Sequence, residues 1–158
     1  MMQTPEERGE ARLRLEFEVT GLDFATAGSA ATRVKRALEH VGFSARAVRR
    51  AAITAYEAEM NIVIHARRGL LKVCVAPEAV VIVAADEGPG IADLELAMQE
   101  GFSTAPEDVR EMGFGAGMGL PNMRRCSDHF TIQSVVGRGT TVRAVIKNDQ
   151  VGGRGRGV

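Results

Sequence analysis

The sequence predicts an α+β fold: a two-layer sandwich in which one mixed or antiparallel sheet of about five strands is covered by helices on one face. Three observations point there. Strand-like and helix-like stretches are segregated along the chain, in the order strand, two helices, hairpin, polar stretch, helix, hairpin, with no βαβ alternation. Leu13 to Thr20 alternates strictly apolar and polar, as a strand with one buried face must. The chain has 158 residues, 45% of them hydrophobic and 25% charged, which is enough for one domain with its own core.

The elements follow in order. Residues 1–10 are polar and expected to fray. The first strand turns Leu13, Leu15, Phe17 and Val19 inward. Ser29 is placed to cap a helix reaching Val41, with Val34, Ala37, Leu38 and Val41 at helical spacing and Gly42 as its stop. Ser44 caps a longer, Ala-rich helix over 45–67, ended by Gly69. Leu70–Ala76 and Val80–Ala85 read as a buried hairpin, the second run stopping at Asp86. A short helix is expected over Asp93–Gln99, a mobile lid over 100–112 and a helix over Met118–Ser127. Phe130–Val136 and Thr140–Ile146 pair through Gly137-Arg138-Gly139. The folded domain is expected to span 11–147. Residues 148–158, rich in Gly and Arg, are expected to be a solvated, disordered tail.

Composition narrows the function. Lys plus Arg equals Asp plus Glu at 20 each, and there is no Trp and one Tyr. Neither a basic field nor a stacking surface speaks for nucleic acid. No apolar run is long enough to span a bilayer and no signal peptide opens the chain, so a cytoplasmic protein without a membrane partner is expected. Cys74 and Cys126 are too few for a disulfide framework or a zinc site.

Three stretches carry chemistry. In Gly113-Phe114-Gly115-Ala116-Gly117-Met118-Gly119-Leu120, four glycines fall at two-residue spacing. Such a run offers bare backbone whose successive N–H groups can turn toward one anion, and it reads as a phosphate cradle. A flexible loop before a helix is the plainer alternative. The second helix carries Glu57, Asn61 and His65 along one stripe. Asn61 offers a neutral oxygen to Mg²⁺, and Glu57 a base for a hydroxyl or water. The plainer alternative is an exposed helix face, but Ala55, Ala58, Ile62, Val63 and Ile64 leave little of the helix wet. Glu59 is read as surface and His65 as a packed, hydrogen-bonded histidine. Asp86-Glu87-Gly88-Pro89-Gly90-Ile91 sets a carboxylate at a strand end, able to accept from the exocyclic amine of adenine, with glycines clearing room for a flat ring. Thr140 and Thr141 are candidates to complete that base pocket. An acidic turn and a routine strand are the alternatives.

Together these motifs resemble the ATP-binding fold of the gyrase, heat-shock chaperone, histidine kinase and MutL superfamily, the Bergerat-type fold. The resemblance rests on Glu57-x-x-x-Asn61, Asp86-x-Gly88-x-Gly90, Gly115-x-Gly117-x-Gly119-Leu120 and Gly139-Thr140-Thr141, in that order, and covers about residues 50–146. Within it the chain is similar to the anti-sigma-factor serine kinases and stress-switch kinases, through Glu95–Gln99, Gly101–Thr104, Gly115-Ala116-Gly117 and Leu120-Pro121. The glycine loop is longer here, by Met118-Gly119 before Leu120-Pro121 and by Gly113 ahead of it.

The resemblance implies ATP and Mg²⁺ as ligands, with Glu57 as general base, Asn61 on the metal and Asp86 on the adenine amine. Gly88, Gly90 and Ile91 would shape the base pocket. Gly113, Gly115, Ala116, Gly117, Met118, Gly119 and Leu120 would wrap the phosphates. It implies an ATP-dependent serine/threonine protein kinase that acts as an anti-sigma regulatory or switch factor on a STAS-type antagonist. The alternative is a nucleotide-gated module that sequesters a sigma factor or scaffold with little turnover. A dimer through the edge strand Leu13–Thr20 is also expected, since unpaired edges invite pairing. Too few residues precede the Glu57 helix for the dimerisation helices of a histidine kinase, and no transducer domain follows the last strand, so slow hydrolysis is expected.

Overall fold

The alternation in Leu13–Thr20 is realised as strand β1, with Leu13, Leu15 and Phe17 half-buried, Val19 buried and the intervening residues exposed. The computed structural model describes residues 11–107 and 118–149. After β1 come helices α1 (Ser29–His40) and α2 (Ala45–His65), then strands β2 (Arg68–Ala76) and β3 (Ala79–Glu87). A short helix α3 (Leu94–Ala97), helix α4 (Gly119–Arg125) and strands β4 (His129–Val135) and β5 (Gly139–Lys147) complete the described chain. The five strands form one sheet in the order β1-β2-β3-β5-β4, every neighbouring pair antiparallel.

The helices lie on one face. Along β3, Val80, Ile82 and Ala84 point into the main core, and so do Leu71, Val73 and Val75 of β2 and Val142, Ala144 and Ile146 of β5. The helix layer meets them with Val34 and Leu38 of α1, the stripe Ala47, Ala51, Ala55, Ala58 and Ile62 of α2, and Leu120 and Met123 of α4. Leu38, Ile62, Leu71, Ile82, Met123 and Ile146 are fully buried. Each such side chain stabilises the fold by about 1.5–3 kcal/mol relative to exposure. The opposite sheet face carries a small second cluster of Cys74, Ala79, Val81 and Val145.

Several boundaries move from their sequence expectations. Ser29 does not cap α1: the N-cap is Gly28, and no side chain of that residue serves the helix. The orphan amides go instead to Glu59 of α2, which accepts from Gly28 N (3.0 Å), Ala30 N (3.3 Å) and Ala31 N (3.1 Å). Glu59, expected on the surface, is therefore 3% exposed.

Helix α2 does start at its Ser44 cap, whose side chain accepts from Ala47 N at 3.0 Å. It stops at His65, before Arg67 and Gly69. Ala66 is already extended, and the chain leaving β1 meets this end: Leu22 N donates to the freed carbonyl of Val63, and Gly21 N to Arg67 O in the connection to the next strand. Pairing with β3 then draws Arg68 and Gly69 into β2, opposite Glu87 and Asp86. Asp86 is accordingly inside a strand, and Gly139 opens β5 instead of sitting in the turn.

Asn148, assigned by composition to the tail, is buried. Its Oδ1 accepts from Ser44 N and its Nδ2 donates to Pro77 O, so it ties the end of β5 to the start of α2.

Candidate functional site

Helix α2 presents Glu57 and Asn61 one turn apart, both half-buried. Helix α4 closes on them. Leu120, Pro121 and Met123 bury its other side in the core. Its first residue, Gly119, comes so near that a Cβ there would lie 3.1 Å from Asn61 Oδ1 and 3.7 Å from Glu57 Oε2. One turn further along α4, Asn122 Nδ2 donates to Glu57 Oε2 at 3.0 Å. Asn122 Oδ1 accepts from Arg125 Nη2, and Arg125 Nη1 pairs with Glu100. A polar chain therefore runs from Glu57 to the stretch that follows α3.

A second group gathers at the far end of the same helix. Gly88 packs against Ala66, the residue that ends α2. Asp86 lies beside it, on the helix-covered face of β3 by strand alternation from Ala84. Its Oδ1 accepts from Thr140 N at 3.1 Å, and Oδ2 accepts no hydrogen bond among the described residues. Burial raises the Asp86 carboxyl above its ordinary pKa, and the Thr140 amide pulls it back.

The turn after β3 is bolted to the β4–β5 hairpin. Ile91 N donates to Ser134 Oγ at 2.7 Å, Ser134 Oγ lies 2.8 Å from Thr140 Oγ1, and Gly137 N donates to Pro89 O. Gly90 has φ 74°, which L side chains rarely adopt, and a side chain there would also strike the Val135 carbonyl. At Gly139 a Cβ would collide with the Asp86 carbonyl oxygen, so no other residue allows β5 this close to β3.

The structure thus brings together Glu57, Asn61 and Gly119 at one end, and Asp86, Gly88, Gly90, Ile91 and Thr140 at the other. Met118 is the N-cap of α4, and Leu120 is buried beneath it. Thr141 is separated from Thr140: strand alternation turns it to the sheet face away from the helices, opposite Ala85 and Gln133. His65 is half-buried and burial lowers its pKa; no hydrogen bond holds it among the described residues. Gly113, Gly115, Ala116 and Gly117, with residues 108–112 of the expected lid, lie outside the described residues.

Two participants, Asn122 and Ser134, are not singled out by sequence reasoning. Asn122 had a signal, since it stands three residues after Gly119 and so shares its helix face. Ser134 had only its register, opposite Thr140 across the last hairpin.

No group of three or more His, Cys, Asp or Glu that could hold a metal ion occurs among the described residues. What the site offers a hard cation is the Asn61 carboxamide oxygen, with a carboxylate one turn away and bare Cα of Gly119 leaving room beside it. That donor set suits Mg²⁺, which keeps waters and ligand phosphates as its remaining partners. No helix among the described residues is long and apolar enough to cross a membrane.

Comparisons with known proteins bear on the family of the chain. Serine/threonine-protein kinase RsbT of Bacillus subtilis (strain 168) is 42% identical over 64 residues, 40% of this chain and 42% of that protein. The anti-sigma F factor of Thermoanaerobacter sp. (strain X514) is 36% identical over 92 residues, 55% of this chain and 61% of that protein. The chain thus spans less than two thirds of each of these relatives. A chain in the crystal structure of the SiaB–SiaC complex from Pseudomonas aeruginosa superposes with a TM-score of 0.56 at 13% identity, covering 88% of this chain and 91% of that one. At that identity the likeness speaks for the fold alone. The pattern of the histidine kinase-like ATPase domain matches residues 22–146, and the chain belongs to that family.

Proposed function

We propose that the protein is an ATP-dependent serine/threonine protein kinase acting as an anti-sigma regulatory or switch factor. Its acceptor would be a hydroxyl on a STAS-type antagonist protein. The observation that carries the reading is the closure of α4 on Glu57 and Asn61, through Gly119 and the Asn122 bond. The names of the two relatives, a serine/threonine-protein kinase and an anti-sigma factor, favour the same reading.

The residues divide the work. Asp86, with Oδ1 fixed by Thr140, turns Oδ2 to the adenine amine, and Gly88, Gly90 and Ile91 leave room for the ring. The glycine stretch 113–119 supplies amides to the phosphates. Glu57 takes the proton of the acceptor hydroxyl as its oxygen bonds to the γ-phosphorus and the bond from that phosphorus to the leaving ADP oxygen breaks. Asn122 holds Glu57 Oε2, so the proton goes to Oε1. Asn61 would hold Mg²⁺, which when bound neutralises phosphate charge. We place the protein in the cytoplasm, as a homodimer through β1.

The second reading is a nucleotide-gated module that captures a sigma factor with little turnover, favoured by the relative named as an anti-sigma F factor. Radiolabelled ATP with a candidate STAS-domain partner separates the two. Label on the partner, lost in Glu57→Ala while ATP still binds, supports the kinase. Nucleotide-dependent capture without label supports the module. Wild-type transfer by Glu57→Ala removes Glu57 as base.

A further inference from the structure

We infer that a second copy of this chain adds antiparallel to the free edge of β1 in one register, with Leu15 opposite Leu15 of the second copy. This rests on the homodimer reading above and specifies its geometry.

Sheet order leaves β1 at an edge. The strand has 8 residues and no Pro, so its free edge is long enough to pair and its backbone donors are intact; what restricts pairing is its charged row. Its core-side residues Leu13, Leu15 and Phe17 stay half-buried, whereas the matching residues of β2, Leu71, Val73 and Val75, are buried. A strand laid beside β1 would cover that remaining apolar surface.

The charges select the occupant and the register. The exposed row reads Arg12, Arg14, Glu16, Glu18, Thr20. Self-pairing about a two-fold axis must match core face to core face, so registers differ by whole two-residue steps. With the axis at Leu15, Arg14 stands opposite Glu16 and Arg12 opposite Glu18, each pair occurring twice. Leu13 then meets Phe17, and Leu15 meets itself. Moving the axis one residue either way sets Glu16 against Glu16 or Arg14 against Arg14. Only the Leu15 axis matches every charge in the row with its opposite.

The rest of the sheet supports the same placement. Within the chain, Glu16 is registered with Lys72 of β2, their charged atoms 3.7 Å apart. Arg14 and Glu18 face Cys74 and Leu70, which carry no charge. Arg14 of the second copy would extend the Lys72–Glu16 row across the new seam.

Cysteine cross-linking reads the register directly. Directly opposed residues in antiparallel strands have Cα atoms about 4.5–5.5 Å apart, within disulfide range. Leu15→Cys, mildly oxidised, should give a covalent dimer on a non-reducing gel, and Glu16→Cys should not; the wild type, with Cys74 and Cys126, is the control. A second test exchanges charges. Arg14→Glu and Glu16→Arg should each weaken self-association roughly tenfold in sedimentation equilibrium. An equimolar mixture of the two variants should restore it, which also shows that both are folded. A monomeric wild type at micromolar concentration removes the homodimer reading itself. A dimeric wild type with no Leu15→Cys cross-link, with cross-linking at Glu16→Cys instead, or with no recovery on mixing, overturns the register and leaves the homodimer standing.

Discussion

Asn122 Nδ2 donates a 3.0 Å hydrogen bond to Glu57 Oε2, joining α4 to the carboxylate proposed as general base. The bond fixes which oxygen is occupied and which remains for a proton. A hydrogen bond to a charged group is worth about 1.5–3 kcal/mol, so Asn122→Ala should slow phosphoryl transfer roughly 10- to 100-fold. ATP affinity should change little, because Asn122 acts through Glu57. Asn122→Asp sets a second carboxylate beside the first and should raise the pH at which the rate rises. Single-turnover transfer across a pH series checks both. An unshifted profile in Asn122→Asp would remove Glu57 as the base.

Gly119→Ala should separate stability from binding. Ala is the better helix former by about 1 kcal/mol, and Gly119 opens α4. Its Cβ, however, would lie 3.1 Å from Asn61 Oδ1, so the carboxamide must shift. The expected result is an unchanged or higher melting temperature with ATP binding in Mg²⁺ weakened roughly tenfold, about 1.4 kcal/mol. Calorimetry with and without Mg²⁺, beside a thermal melt, tests it. Equal weakening in both conditions would remove Asn61 from the metal.

Glu59 should matter to the fold and not to the reaction. It takes three backbone amides at the start of α1 and is buried. Glu59→Ala leaves those donors without a partner and should cost about 3 kcal/mol. For a domain of this size that is a fall of roughly 6–12 °C in melting temperature. Transfer rate measured well below the transition should stay near wild type. A melting temperature within two degrees of wild type, roughly the scale of a surface substitution, would show that solvent replaces the carboxylate.

Glu57 and Glu59 also mark how far the sequence can be read. Strand alternation in β1, the Ser44 cap and the glycine-bounded last hairpin are local signals, and each survives in the structure with ends shifted by a residue or two. Glu57 was separable from its neighbours because Asn61 follows one turn later on the same stripe. Two residues along a helix turn the side chain roughly 200° away, so Glu59 had to face elsewhere. What it faced, the bare start of α1 some thirty positions earlier, is a tertiary fact with no local trace. The same holds for Asn148, whose partners Ser44 and Pro77 are distant in the chain, and for Arg68 and Gly69, drawn into β2 by β3. Asn122 was within reach, standing one turn after Gly119. Thr141 was drawn to the base pocket by adjacency to Thr140, although the two-residue period of a strand sets adjacent residues on opposite faces.

Acid should act on stability and on nucleotide binding through different residues. Burial lowers the His65 pKa below its ordinary 6.5, so the folded chain binds that proton less readily than the unfolded chain. Its contribution to stability is whole above pH 6.5 and is lost as pH falls from there through the lowered value of the folded chain. Asp86 has the opposite sign. Its pKa is raised above the ordinary 3.8, so the folded chain takes up its proton first, and stability from this group grows as pH falls through the window between those two values. Binding of the adenine amine needs the ionised carboxylate, so ATP affinity should drop in that same window. Melts of wild type between pH 7.5 and about 5.5 should therefore show a decline that His65→Gln flattens. Titrations of ATP down to about pH 4 should show weakening, set against the loss already present at neutral pH in Asp86→Ala. ATP affinity in wild type that stays level while Asp86 protonates would take the adenine contact away from this residue.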